Sequence, residues 1–119
     1  MEVDEFTKRL ARIRERFATT LSGKVDDSYA ALTKLSDKDA AAIETVIVVH
    51  RKLHEMCGIA PSVGFPATGA AARAAESVLR EAANLKRSLT PQEVTAFTAE
   101  LDALRAASQH DLQSSPGQG

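Results

Sequence analysis

The sequence predicts an all-α fold: an antiparallel up-down four-helix bundle with a bent or split N-terminal helix. Three observations lead there. Apolar residues return at steps of three and four in four separate blocks, the spacing that lays a stripe along an α-helix. No stretch of any length alternates apolar and polar residues as a half-buried strand does. Aromatic residues are only 4% of the chain while Ala, Leu and Val are plentiful, so helices can approach closely around an interior that needs no cofactor to fill it.

In the first block Phe6, Leu10, Ile13, Phe17 and Leu21 form an apolar stripe, predicting a helix over about residues 3–21. Lys8, Arg9, Arg12, Arg14, Glu15 and Arg16 fall on its other faces and read as a solvated surface. Ser22-Gly23 is a break or bend, after which Val25, Tyr29, Leu32 and Leu35 continue the helical period. Ser36 is expected to cap the second block, with Asp37 and Asp39 in its first turn, where carboxylates favour the helix dipole. That block carries Ala42, Val46, Val49, Leu53, Met56, Ala60 and Val63 as one long stripe. Pro61 lacks an N–H and crowds the carbonyl of Cys57, so the helix should kink or end there, with Gly64 in a turn. Pro66 can open the third helix, with Phe65 before it as a staple; Ala71, Ala75, Val78, Ala82 and Leu85 are its expected stripe, and Gly69 weakens its first turn. Thr90-Pro91-Gln92-Glu93 is a capping box with Pro at the first helical position. Val94, Phe97, Leu101 and Leu104 follow as the last stripe, ending near Ser108. Residues 1–109 are thus expected to form one domain, and His110–Gly119, polar with Pro and Gly, a disordered tail.

Function concentrates on the outward face of the second helix. With 100° per residue, His54 lies roughly 130° from the centre of the apolar stripe, Gly58 roughly 170° and Ile47 roughly 150°. All three should point outward, and a helical Gly in the open costs about 1 kcal/mol against Ala. A flat, partly apolar face with one His beside a missing side chain suggests that another protein docks there. Arg51 lies on the same arc one turn back.

His50, His54 and Cys57, at spacings of four and three, share one edge of this helix, an arrangement that can bind a transition metal. No fourth ligand is evident. His50 and Cys57 lie roughly 90° and 70° from the stripe centre and read more simply as boundary residues of the core, so no metal is expected. Cys57, the sole cysteine, can form no internal disulfide and reads as a small half-buried hydrophobe.

The net charge of −1 gives no electrostatic case for nucleic acid or an acidic membrane surface. No apolar run approaches the roughly 20 residues needed to span a bilayer. The first ten residues are acidic and amphipathic, unlike a signal peptide, and a cytoplasmic protein is expected. No Gly-rich phosphate loop followed by Lys is present, so no ATP-dependent kinase activity is expected.

His54-Glu55-Met56-Cys57-Gly58-Ile59-Ala60-Pro61-Ser62-Val63-Gly64-Phe65 resembles the signature of histidine-containing phosphotransfer (HPt) domains: a His, an aliphatic residue two later, Gly four later, and Gly ten later followed by an apolar residue. His54, Met56, Gly58, Gly64 and Phe65 match. Ala71–Leu79 resembles the next helix of the family, with Glu76 in the usual place, and the resemblance runs over roughly residues 6–108. It implies that His54 takes a phosphoryl group from a receiver aspartate in a two-component phosphorelay and passes it to another receiver domain. Partners would be response-regulator receiver domains and a sensor or hybrid histidine kinase, with Mg²⁺ on the receiver and no cofactor in this chain, which is expected to be a monomer. Ile47, Arg51, Glu55, Cys57 and Gly58 would then form the docking face or the phosphate's surroundings. Cys57 stands where the family often has Lys; Arg51, Arg73 or Arg80 could supply the missing cation. Glu55 would face solvent or a basic residue of the partner. A non-catalytic module of the same shape, binding a receiver or kinase without carrying phosphate, is the alternative that Cys57 and Glu55 encourage.

Overall fold

The four apolar blocks become four helices in the computed structural model, which describes residues 2–114, with side chains from Asp4 onward. The helices are α1 (Glu2–Leu35), α2 (Ala40–Ile59), α3 (Pro66–Leu85) and α4 (Pro91–Gln113), with a short 3₁₀ turn, Ala60–Val63, between α2 and α3. No strand occurs among the described residues. Each helix packs on its neighbour in the chain and α4 closes back on α1, as in an up-down bundle. No helix is long and apolar enough to cross a membrane among the described residues.

The core is built from the predicted stripes of α2 and α4, the second half of α1 and the inward face of α3. Every member of the α2 stripe, from Ala42 to Val63, is buried. So are Phe97, Leu101 and Leu104 from α4, and Phe17, Leu21 and Val25 from α1. Each Leu or Phe removed from water in this way stabilises the fold by about 1.5–3 kcal/mol before the entropy of ordering is set against it. The rings of Phe17 and Phe65 meet edge to face at 5.1 Å.

Several expectations are corrected. Ser22-Gly23 does not divide α1, which is one uninterrupted helix of 34 residues. At 1.5 Å per residue α1 is about 50 Å long, against about 30 Å for α2, so its first turns overhang the bundle. Phe6 and Ile13 are accordingly 67% and 45% exposed rather than core. Ser36 does not cap α2. Residues 36–39 are used to reverse the chain, and Asp39 is the cap, its Oδ1 accepting from the Ala42 N–H at 3.0 Å; no acid lies in the first turn. The stripe of α3 is rotated from the expected one, sharing Ala75 and Ala82 with it. Thr68, Gly69, Ala72, Ala75, Glu76, Leu79 and Ala82 face inward, Ala71 and Val78 are half-buried, and Leu85 is 62% exposed. With Ala at positions 70, 71, 72, 74 and 75, apolar spacing there marks no single face.

The end of α2 follows from Pro61, the second residue of the 3₁₀ turn. Gly64 closes it with φ 91°, in the left-handed region that costs other residues roughly 1–2 kcal/mol. Arg14 of α1 lies across this turn and donates from Nε to the Val63 carbonyl at 2.9 Å. Gly69 has a packing role rather than being a mere weakness: a Cβ there would stand 2.6 Å from the Pro61 ring. The absent side chain lets the first turn of α3 pack against the end of α2.

The helix also continues past the expected domain boundary at residue 109. His110 to Gln113 are the last turn of α4, held there because the buried Asp111 carboxylate accepts from the Thr68 N–H at 2.6 Å and the Thr68 hydroxyl at 2.7 Å. The remainder of the expected tail, residues 115–119, lies outside the described residues.

Candidate functional site

On α2 the stripe that packs inward leaves the opposite face in water, and His54 is on it. Its side chain is 69% exposed. The ring is nonetheless anchored. Nδ1 lies 3.0 Å from Oε1 of Glu76, a residue of α3 whose side chain is only 6% exposed. Burial alone would raise the pKa of Glu76; the hydrogen bond from His54, and the charges of His54, His50 and Arg80, outweigh that and hold it below the ordinary carboxyl value. An ionised carboxylate only accepts hydrogen bonds. Nδ1 is therefore the N–H donor, and in the neutral ring the lone pair resides on Nε2, at the ring edge away from the buried carboxylate.

Three further groups crowd this carboxylate. His50 Nε2 is 3.3 Å from the same oxygen, but it is not aligned for a hydrogen bond and remains a buried nitrogen without a partner. The rings of His50 and His54 are 6.5 Å apart and nearly parallel, 15° between planes. Arg80, one turn along α3, brings its guanidinium to 3.7 Å. Cys57 donates from Sγ to the His54 carbonyl at 3.2 Å and faces Glu76 Oε2 at 3.8 Å. Burial raises the thiol pKa and the Glu76 charge raises it further, with Arg73 and Arg80 opposing, so the thiol stays protonated at neutral pH.

The other expected site residues separate into groups. Gly58 is exposed, and a Cβ placed there would meet nothing within 4 Å, leaving clear space one turn beyond His54. Arg51 is exposed and in no ion pair among the described residues. Ile47 is half-buried rather than exposed; it precedes His50 by one turn on the edge of α2 where α3 packs. Cys57 is 7% exposed, a core member rather than a half-buried edge. Glu55 is exposed on the other flank, lining a groove between α1 and α2 beside Lys52.

The family model described as Hpt domain matches residues 3–107. The chain belongs to the Hpt domain family. Comparison with curated proteins and comparison with solved structures gave no match. As an Hpt domain the chain is a histidine phosphotransfer module of phosphorelays, a class that interacts with receiver domains and kinases.

Within this Hpt domain two contributors to the site stood outside the docking set read from the sequence. Glu76 holds His54, and Arg80 is the cation nearest the shared carboxylate, where Arg51 was as good a candidate. The signal for Glu76 was a lone acid among small residues at a step of four from Ala72. The family resemblance marked its position, but its hold on His54 became apparent only once the inward face of α3 was known.

Proposed function

We propose that this Hpt domain takes a phosphoryl group from a receiver aspartate onto His54 and passes it to the aspartate of another receiver domain. The observation that supports this most is the pairing of an exposed His54 ring with a buried, ionised Glu76 at Nδ1. The Nε2 lone pair attacks the phosphorus of the aspartyl phosphate, the N–P bond forms as the P–O bond to the receiver's carboxylate breaks, and the aspartate leaves as a free carboxylate. The ring becomes cationic as it attacks, and Glu76 at Nδ1 stabilises that charge. Reversal onto a second receiver regenerates the neutral ring. Phosphoryl transfer depends mainly on positioning and charge stabilisation; Mg²⁺ and the acyl phosphate belong to the receiver, and the bundle supplies the imidazole and a landing face around Gly58. Arg80 and Arg51 are the cations available to the phosphoryl group in place of a Lys at position 57. This role places the domain in the cytoplasm, as a monomer meeting a hybrid kinase and a response regulator in turn.

The test is transfer from a labelled receiver. Wild type should acquire an acid-labile, base-stable phosphate, and His54→Ala should acquire none while keeping its helical circular dichroism. Labelling that persists in His54→Ala would overturn the assignment. Receiver binding by both proteins with no phosphohistidine in either would identify the non-catalytic module instead.

A further inference from the structure

The edge His50, His54, Cys57 lacks a fourth metal donor within α2, and α3 provides one. His54 Nδ1, Cys57 Sγ and a Glu76 carboxylate oxygen all lie within 4.8 Å of one another. Donors around a tetrahedral Zn²⁺, with bonds of roughly 2.0–2.3 Å, stand roughly 3.3–3.8 Å apart. Glu76 Oε1 is 3.0 Å from His54 Nδ1 and 3.3 Å from His50 Nε2, and Oε2 is 3.8 Å from Cys57 Sγ; His50 stands outside the close triad and joins it through Glu76 Oε1. His50 Nε2 is the buried side-chain nitrogen left without a hydrogen-bond partner, and a metal would satisfy it. Two imidazoles, a thiolate and a carboxylate suit zinc and other late transition metals, whereas Mg²⁺ and Ca²⁺ prefer oxygen. One thiolate and one carboxylate neutralise a divalent ion in this half-buried place. Arg80, whose side chain is 54% exposed, can swing into water.

We infer that His50 Nε2, His54 Nδ1, Cys57 Sγ and the Glu76 carboxylate bind Zn²⁺, and that the bound ion silences His54 as a phosphoryl acceptor. The silencing follows from the two ring nitrogens. Without metal, Nδ1 carries the proton toward Glu76 and Nε2 carries the lone pair. Zinc takes the Nδ1 lone pair, so the single ring proton moves to Nε2 and the nucleophilic pair is gone. Cys57 releases its proton to solvent on binding. The silencing rests on His54 being the acceptor; the metal site does not.

Cobalt titration of the full chain tests the site without any phosphate chemistry. Co²⁺ should bind one to one, show tetrahedral d–d bands with a thiolate charge-transfer band, and be displaced by Zn²⁺. Cys57→Ser should lose the charge-transfer band, and His50→Ala and His54→Ala should each weaken binding roughly tenfold or more. His54 is exposed, so its variant remains folded and informative. No binding, or binding unaltered in these variants, overturns the site. Transfer from a labelled receiver is then measured at constant Mg²⁺ with and without equimolar Zn²⁺. Wild type should lose at least tenfold and recover with a zinc-selective chelator. Cys57→Ser, whatever its own rate, should respond less than twofold, which excludes zinc acting on the receiver. Full transfer to zinc-loaded wild type overturns the silencing. Failure of the metal-free chain to accept phosphate overturns the phosphotransfer reading together with the silencing, and the cobalt spectra then judge the site alone.

Discussion

His54 and Gly58 stand one turn apart on the solvent face of α2, and they differ in what a partner would meet there. At His54 a ring is held at one nitrogen and bare at the other. At Gly58 there is only backbone, with nothing within 4 Å of where a Cβ would be. Packing gives no reason for glycine at that position, and its helix propensity is about 1 kcal/mol worse than that of Ala or Leu. A glycine kept where it weakens the helix fits a face that another domain must approach closely. Gly58→Leu should therefore raise the unfolding free energy by about 1 kcal/mol in chemical denaturation while slowing receiver-to-His54 transfer by tenfold or more. Efficient transfer by a stabilised Gly58→Leu protein would remove Gly58 from the contact face.

Among the elements, α3 depends on α4 for its start. Pro66 stands at its first position and Phe65, the residue before it, offers no side-chain cap. The Thr68 N–H, one of the donors that a helix N-terminus leaves unpaired, is satisfied instead by Asp111 from the last turn of α4. Charge-assisted hydrogen bonds of this kind are worth about 1.5–3 kcal/mol, and cutting one leaves a buried N–H unpaired. Ending the chain after residue 109, or making Asp111→Ala, should lower the unfolding free energy by about 2–3 kcal/mol, whereas ending it after residue 114 keeps the contact. Equal melting temperatures for the chains ended at 109 and 114 would show that α3 does not need this cap. By contrast α4 begins autonomously: Thr90 Oγ1 accepts from the Glu93 N–H at 3.1 Å, and Glu93 Oε1 accepts from the Thr90 N–H at 2.9 Å.

For the molecule as a whole, the connection from α3 to α4 is tied by a bidentate ion pair. Arg87 meets Glu93 through two parallel hydrogen bonds, 2.7 and 3.0 Å. The Arg87 hydrogen bond is the main reason that Glu93 is held well below the usual carboxyl range, at about 2; burial opposes it, and the bonds within the Thr90 capping box and the Arg87 charge add to it. A carboxyl whose pKa is depressed by folding contributes stability that is fully present above its unfolded value, near 4.5, and is lost as pH falls toward about 2. Melting temperature should decline between those limits, and more gently in Glu93→Gln, which has no proton to take up. Parallel acid profiles for the two proteins would place the acid sensitivity elsewhere. The exposed pair Asp26 and Arg105, which links α1 to α4, contributes little by comparison because solvent screens it.

How much of this was legible in the residues depended on how sharply each stretch distinguished its faces. The α2 stripe mixes Val, Leu and Met with charged neighbours, so one period fits, and the inward residues and the outward His54 and Gly58 were placed correctly. The capping box of α4 is a local motif whose partners are three residues apart, and it formed as read. The register of α3 was not legible, because an Ala-rich run packs equally well on several faces until a neighbouring helix selects one. That selection turned Glu76 inward, under His54. The Asp39 cap and the overhang of α1 were likewise settled by where the neighbouring elements end. Local sequence determined the four helical blocks and which His faces water, since both follow from spacing within one helix; the unbroken α1 and the last turn of α4 did not follow from it. The grouping of His50, His54, Cys57 and Glu76, and the capping of α3 by Asp111, join residues 19 to 43 positions apart, and only the docking of one helix against another brings such groups within hydrogen-bonding distance.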